Sequence, residues 1–551
     1  MAESKLRHAV EECLRPVRCT RLKHQALYSR TAVLSRVVLE LGNAAPGGMG
    51  LSGQGVSAGL LIKLGWFCRS SGRPDSLPTD LGKGGMLGFK DGDQPELFVT
   101  GLLRQLLPDD HVLVRVDQGL DLSWLREAVA DLYCPDNGRP GIDPEVAVRL
   151  MLAGLLLGIV HNRRLLLEAQ VNLAIRWFVG YGLHERLPDH SSLTRIRQRW
   201  GAERFKAVRT RSVEACVAAG IARGEVVHVD ASLIRADVTW NAIADAHAEA
   251  VVKAHPDLPD AAPVGPAPIA GTPPPGHKPR RVCPTDPDAS LGKVRRNLPA
   301  QPCSKQHTAV DQKRGVVLDI VVTTGAAHES TLAEGQLDTV AATPGRPIGI
   351  ATLEAGYAVT RIFAALEARG IEAVVPTRPE RPPRRGVIPV RRFKLDARHN
   401  RGRCPRGRTL RPHGKPDTDG FQACRATVKD CSACSLRARC FSPTMKKRAI
   451  LLHKDHPALI RARRKHLAWG AREKAIYASH RGRVEGVHGE AKTWHGLARA
   501  IRRGIGNMQI QAYLTATVIN LKRLAAALLV LMNILWRALT LNNRHAQPQP
   551  R

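Results

Sequence analysis

The sequence is short of acid, short of long apolar runs and without the marks of export. Against 83 Lys and Arg it carries 49 Asp and Glu, a formal charge of +34 over 551 residues. So basic a chain points to a polyanionic partner, nucleic acid first and an acidic membrane surface second, and says nothing of fold. The longest apolar runs, at 150–160 and 524–536, fall short of the roughly 20 residues that a membrane-spanning helix needs. The second contains Asn533 and is flanked by Lys522, Arg523 and Arg537, which favours a buried or interfacial helix and no membrane. The first residues, MAESKLRHAVEECLRP, mix acids with bases and hold no apolar stretch, so no secretory signal is expected. Twelve cysteines without such a signal read as thiols in a reducing, cytoplasmic setting rather than as a disulfide framework. No internal repeat is evident.

What is there falls into segments. Residues 1–85 include GNAAPGGMGLSGQG and RSSGRPDSLPTDLGKGG, which lack any period and are expected to be a non-domain extension ahead of a start at Met86. Residues 86–215 read as a helical DNA-binding domain. Apolar residues recur at helical spacing in LFVTGLLRQLL (97–107), LSWLREAVADLY (122–133), PEVAVRLMLAGLLLGI (144–159) and LLLEAQVNLAIRWFVGY (165–181). PDHSSLTRIRQRW (188–200) then gives an Arg-rich helix with Ser191 and Ser192 as candidate caps.

From 224 the pattern changes to short β-branched runs at 226–230, 307–311, 315–324, 347–354 and 371–377, with helical stretches at 329–341 and 360–370. The order strand, strand, strand, helix, strand, helix, strand predicts a mixed α/β layer over 216–377. A Pro/Ala-rich insertion at 255–302 interrupts it. Residues 378–450 form a basic insertion holding five of the twelve cysteines. Helical patterns at 456–475, 481–501 and 508–540 would complete the core over 451–540, leaving 541–551 as a tail.

Cutting a phosphodiester calls for hard cations held by carboxylates, two of them about 3.5–4 Å apart. The sequence mark is sparse: one acid at a strand end, a second at another strand end, a third on a helix. Asp230 ends the run VVHVD, Glu354 ends PIGIATLE, and Glu485 sits in the helical pattern HRGRVEGVHGEAKTWHG (480–496). On that helix Arg481, Glu485 and Lys492 stand at i, i+4 and i+11, with Tyr477 at i−4, so all lie near one face. A metal-binding glutamate would thereby be flanked by cations that grip phosphates. Asp311 and Asp319 are the alternatives for the second ligand, and each reads first as structural. Asp237 reads as a surface residue. His228 shares a strand face with Asp230 and reads as a buried hydrogen-bonded histidine, because magnesium prefers oxygen.

These segments resemble the DDE-type transposases of bacterial insertion sequences, from about Met86 to residue 530. The resemblance lies in PDHSSLTRIRQRW, HVDASLIRAD, KQHTAVD, GVVLDIVVTTGAAHES, the strand leading to EAGY, and RGRVEGVHGEAK. Arg481, Glu485 and Lys492 match the family's Arg-x3-Glu-x6-Lys spacing, and Tyr477 stands one residue earlier than the family pattern places its tyrosine. The resemblance implies an RNase H-like mixed sheet with flanking helices, behind an all-helical N-terminal domain. It implies metal-dependent cleavage at insertion-sequence ends and strand transfer into target DNA. Asp230, Glu354 and Glu485 would hold Mg2+ or Mn2+, with Arg481 and Lys492 on the phosphates. A homodimer on double-stranded DNA, at the bacterial nucleoid, is implied as well. One position departs: Glu354 stands where the family has the aspartate of Asp-Ala-Gly-Tyr. The extra methylene points to a weakened site, since misplacement by about 1 Å costs about 100-fold in rate. A related nuclease without strand transfer, or a decayed copy that only binds DNA, are the alternative readings.

CSACSLRARC (431–440) gives C-x2-C-x5-C, an ordinary half-site for tetrahedral zinc, with Cys404 and Cys424 upstream. Similar transposases carry such an insertion, which implies Cys404, Cys431, Cys434 and Cys440 as ligands of a structural Zn2+ and leaves Cys424 spare. Unlinked thiols remain the other reading. Zinc would knit together a basic loop too polar to fold alone. The many arginines of this insertion would bind phosphate without reading sequence. Arg195, Arg197 and Arg199, on one short helix, are the candidates for recognising transposon ends.

Overall fold

The computed structural model describes residues 101–134, 141–238, 244–245, 281–283, 285–293, 300–343, 347–378, 387–396, 401–417 and 420–545. The expected extension at 1–85, most of the Pro/Ala-rich insertion and the last residues of the tail lie outside the described residues.

The first described region is helical: α1 Val112–Asp117, α2 Leu125–Val129, α3 Pro144–Leu156, α4 Asn162–Val171, α5 Leu173–Val179 and α6 His190–Ala218. Local chemistry sets the boundaries. Asp143 caps α3, its carboxylate accepting from Glu145 N at 2.8 Å, with Pro144 at the start where no N–H is needed. The stretch 165–181, expected as one helix, is two. Asn172 leaves helical backbone geometry, and its amide oxygen accepts from Ile175 N at 3.1 Å to start α5. At α6 the cap is Asp189, not a serine: its carboxylate accepts from Ser191 N at 2.8 Å. Gly201, with φ 64°, kinks α6 just after Arg195, Arg197 and Arg199.

A mixed sheet follows. Its strands are β1 Val226–Arg235, β4 Ser290–Gly292, β5 Gln301–Asp311, β6 Val317–Thr324, β7 Ile350–Leu353 and β8 Glu372–Val374; β2 Ala244–Asp245 and β3 Arg281–Val282 pair separately. The order is β4-β5-β1-β7-β8, with β6 also paired to β5. β6, β5 and β1 run antiparallel to one another, whereas β7 and β8 join β1 in parallel. The helices α7 Ala333–Ala342 and α8 Thr360–Ala368 lie between successive strands in the chain. Every run read as a strand or helix in this part of the sequence forms one, and β1 and β5 are longer than their apolar runs.

The basic insertion folds as its own five-stranded antiparallel sheet, in the order β9 Lys394–Asp396, β10 Arg401–Arg403, β11 Thr409–His413, β12 Phe421–Arg425, β13 Ala449–His453. Two short helices, α9 Val428–Ser432 and α10 Arg437–Cys440, connect β12 to β13. The segment read as a basic loop thus holds regular strands. Phe393, Leu410, Cys424, Phe441, Ile450 and Leu452 are buried together, apolar residues placed at intervals among the arginines.

Three helices end the chain: α11 His456–Leu467, α12 Ala471–Trp494 and α13 Ile505–His545. The expected breaks shift. α12 begins early enough to hold Tyr477 and Glu485 on one helix, and it stops at Trp494 because Gly496, with φ 70°, turns the chain. The apolar run at 524–536, read as too short to cross a membrane, belongs to a longer segment. Ile505–Ile534 is long and apolar enough to span one by length and composition. Through its first half α13 is instead core: Met508, Ala512, Leu514, Val518, Ile519 and Leu521 are buried. One apolar cluster takes in α1 to α6, the sheet residues Ile234, Val310, Val317 and Ile320, and parts of α12 and α13. The helical region therefore shares its core with the sheet. Asn520 stitches the two, accepting from Val317 N at 2.8 Å and donating to Ser212 Oγ at 3.2 Å.

Candidate active site

The parallel register of β1 and β7 sets Thr352 beside His228, and Glu354 follows at the end of β7. Asp230 does not end its strand as the sequence suggested: β1 runs on to Arg235 in its pairing with β5, and Asp230 sits mid-strand opposite Thr308, just past the last residue paired with β7. α12 lies over the same region. His488 Nδ1 is 3.8 Å from Asp230 Oδ2, and Lys492 Nζ donates to Ser232 Oγ at 2.6 Å. Asp230 is 9% exposed. Burial pushes its carboxyl up to about 7, helped by the charge of Glu354 and then those of Glu329 and Glu485, against the backbone N–H of Ala231. Glu354 is raised too, by burial first and then by Glu329 and Glu485, with Arg481 opposing. The three acids picked from the sequence thus come from the middle of β1, the end of β7 and a helix to within electrostatic reach of one another. Among the described residues, no three His, Cys, Asp or Glu side chains stand close enough to hold a metal ion.

Sequence reasoning missed a fourth acid. Glu329 opens a single 3-10 turn after β6, and its carboxylate rests against Gly356, where any Cβ would collide with it. Lys305 Nζ lies 3.7 Å away. The signal was present in GAAHES, an acid just beyond a strand end. Tyr357, in the EAGY segment, was missed as well. It is wholly buried, its hydroxyl has no partner among the described residues, and burial raises its pKa well above the usual value, followed by Asp230, Glu329 and Glu354.

The cations expected on one face of α12 part company. Arg481 is exposed and pairs with Glu485 at 2.8 Å, and Glu485 is itself more than half exposed. Lys492 is partly buried and reaches inward to Ser232; burial lowers its pKa while Asp230 pulls it back up. Tyr477 stacks on His480, with ring centroids 5.6 Å apart, and burial followed by the charges of Glu354 and Asp230 raises its phenol.

The other acids have structural partners. Asp311 accepts from the backbone N–H groups of Arg223, Gly224 and Lys313 at 3.0, 2.9 and 2.7 Å. Asp319 pairs with buried Arg209 at 3.2 Å, and Asp237 pairs with Arg499 at 3.1 Å. His228 is buried and bonded at Nδ1 to Thr352 Oγ1, 2.6 Å away.

On α6 the three arginines do not share a face. Arg195 and Arg199 are exposed, and Arg199 lies over the Tyr133 ring at 4.8 Å. Arg197 points inward, donates to Asn162 Oδ1 at 3.2 Å, and is pushed down to about 9 by burial and then by Arg502. In the cysteine module, the Cys440 thiol is raised by burial first. Arg448 opposes the shift, while Cys431, Cys404 and Cys434 add to it, so each of these three lies within electrostatic range of Cys440, although no three of the sulfurs stand close enough together to hold a metal ion. Cys424 packs in the module's core.

Two family models match the chain. A transposase domain (DUF772) covers residues 102–199, which is the helical region, and a transposase DDE domain covers residues 403–525, from the cysteine module through the first half of α13. No curated protein matches it.

Proposed function

Starting from a chain that belongs to the DDE-type transposases of insertion sequences, we propose that it cuts DNA at the ends of its element and joins the freed 3′ end to target DNA. The observation that carries this reading is the carboxyl of Asp230, buried and raised by three other carboxylates that arrive from separate parts of the chain. Like charges gathered around one buried carboxyl are poorly satisfied alone and suit a divalent cation. The donor set is all oxygen, which fits Mg2+ or Mn2+. The strand path β6-β5-β1-β7-β8, three antiparallel strands followed by two parallel ones, supports the RNase H-like reading of the sheet.

In this reading Asp230, Glu354 and Glu485 hold the metal, which when bound supplies Lewis-acid stabilisation of the attacking and leaving oxygens. Glu354 supplies the oxygen ligands of the family's aspartate from one methylene further out, and we read it as weakening the site. Arg481, exposed beside Glu485, takes a DNA phosphate. Lys492, fixed on Ser232, holds positive charge beside Asp230 and is read as orienting that carboxylate as well as meeting DNA. Arg195 and Arg199 offer exposed charge for transposon ends, whereas Arg197 serves the helix packing. Cys404, Cys431, Cys434 and Cys440 would hold a structural zinc on the strength of their C-x2-C-x5-C spacing, with the sulfurs drawing together around the ion. A dimer on double-stranded DNA, in the cytoplasm, completes the proposal, since two ends need two sites.

Purified protein with Mg2+ or Mn2+ and supercoiled donor DNA bearing the element's ends tests this. Joined products are expected. Nicks alone would make the chain a nuclease, and retarded bands without cleavage would make it a binding protein.

A further inference from the structure

Each of the three elements that carry a proposed metal-binding acid also gives one buried polar group to a hydrogen-bonded chain beneath it. β1 gives His228, two residues before Asp230; β7 gives Thr352, two before Glu354; α12 gives His480, five before Glu485. Nδ1 of His228 lies 2.6 Å from Thr352 Oγ1, and Thr352 Oγ1 lies 2.7 Å from Nδ1 of His480. The two rings meet edge to face with centroids 5.5 Å apart. All three residues are buried, His228 and Thr352 completely and His480 to 3% exposure.

Packing alone would not ask for these groups. Three apolar side chains of similar size would fill the same space without the cost of burying polar atoms. A hydrogen bond adds a demand that apolar contact lacks: it fails over a few tenths of an ångström and a few tens of degrees. Because the Thr352 hydroxyl carries one proton, at least one ring must present Nδ1–H to it, which fixes that ring's tautomer and orientation. The parallel register places His228 and Thr352 side by side, and α12 closes the chain from above. Sliding α12 along the sheet by an ångström would break the bond to His480.

We infer that His228, Thr352 and His480 are positioning residues: the Thr352 hydroxyl, bonded on both sides, holds the two strands and the helix at the spacing their acids need. The inference rests on reading those acids as metal ligands. It concerns the geometry of the site, and none of the three residues touches DNA or metal in it.

Binding of Mn2+ alone to the full chain without DNA, followed by electron paramagnetic resonance of the free ion, tests it. Thr352→Val keeps the shape and removes the hydroxyl, and it should weaken Mn2+ binding about tenfold, the lower range for groups that orient metal ligands. Thr352→Ser restores the hydroxyl and should bind within about twofold of wild type on the same scale. If Thr352→Val proves unfolded by circular dichroism, the pair His480→Asn and His480→Leu replaces it. The asparagine can still bond Thr352 and should bind Mn2+ better than the leucine. Wild-type affinity in a folded Thr352→Val, or equal losses in the serine and valine variants, would overturn the inference. Binding that survives Asp230→Asn unchanged would instead remove the site reading on which it stands.

Discussion

In the middle of β1, one buried carboxyl is surrounded by acids from three distant stretches of chain, and burial and like charge raise it to about 7. In the cysteine module, four thiols come from one short stretch and sit around a small apolar core. The first arrangement holds electrostatic strain that a cation would relieve; the second is an ordinary core with sulfur at its edge. The contrast separates two ways of building a site. Distant convergence depends on strand register and on every element being in place, whereas a local cluster depends on spacing along the chain.

Asp230→Asn should break the first arrangement most severely. Cleavage should fall by about a thousandfold or more, the value of several kcal/mol of transition-state stabilisation, with DNA retardation unchanged. Retained cleavage would mean that the buried acid is not part of the chemistry.

Stability of the metal-free protein against pH sharpens the same point. Asp230 is pushed up to about 7 in the folded protein from an ordinary 3.8, so it weakens the fold as pH rises from about 4 to about 7. The stability difference between Asp230→Asn and wild type should therefore widen across that window, by up to about 4 kcal/mol, and level off above it. Buried His228, His480 and His488, held down to about 3, 4 and 3 by burial first, work the other way. Their neutral forms favour the fold above their unfolded pKa, and that advantage is lost as pH falls below it. They are common to both proteins and largely cancel in the difference. Denaturant titrations at a series of pH values measure it, and a difference independent of pH would refute the like-charge account.

Much of this was legible in the sequence. A strand end at 354 and a helix around 485 follow from alternation and period, and the order of elements follows with them, whereas the continuation of β1 past Asp230 to Arg235 was hidden by the small and polar residues that interrupt its apolar run. Glu329 was not legible, because its closeness to Glu354 is made by the turn after β6 meeting Gly356, a contact between segments that no local pattern records. The His228–Thr352–His480 chain was hidden for the same reason: each residue looks like filler within its own element. The inward turn of Arg197 and Lys492 escaped notice because face assignments on a helix do not say which neighbour covers which side. The strands of the cysteine module were hidden by charge, since arginines are interspersed with the few apolar residues that form its core.

Glu354→Asp is the next test in size. If the extra methylene displaces the second acid, cleavage should rise by up to about 100-fold. An unchanged or lower rate would mean that this chain has built its site around the glutamate, with Glu329 alongside.

The smallest effect on chemistry belongs to the other region. Cys431→Ser should abolish zinc in the purified protein and lower its melting temperature by about 5 °C, while cleavage per folded molecule stays within about threefold of wild type. Metal analysis with thermal scanning reads both, and a loss of cleavage comparable to that of Asp230→Asn would erase the distinction drawn between the two regions.

The most direct measurement is a crystal structure of the Mn2+-soaked protein with the ion located by its anomalous scattering. An ion bound by Asp230 together with Glu354 and Glu485 is the predicted result. Manganese held elsewhere, with those three carboxylates empty in a protein that still cuts DNA, would contradict the account.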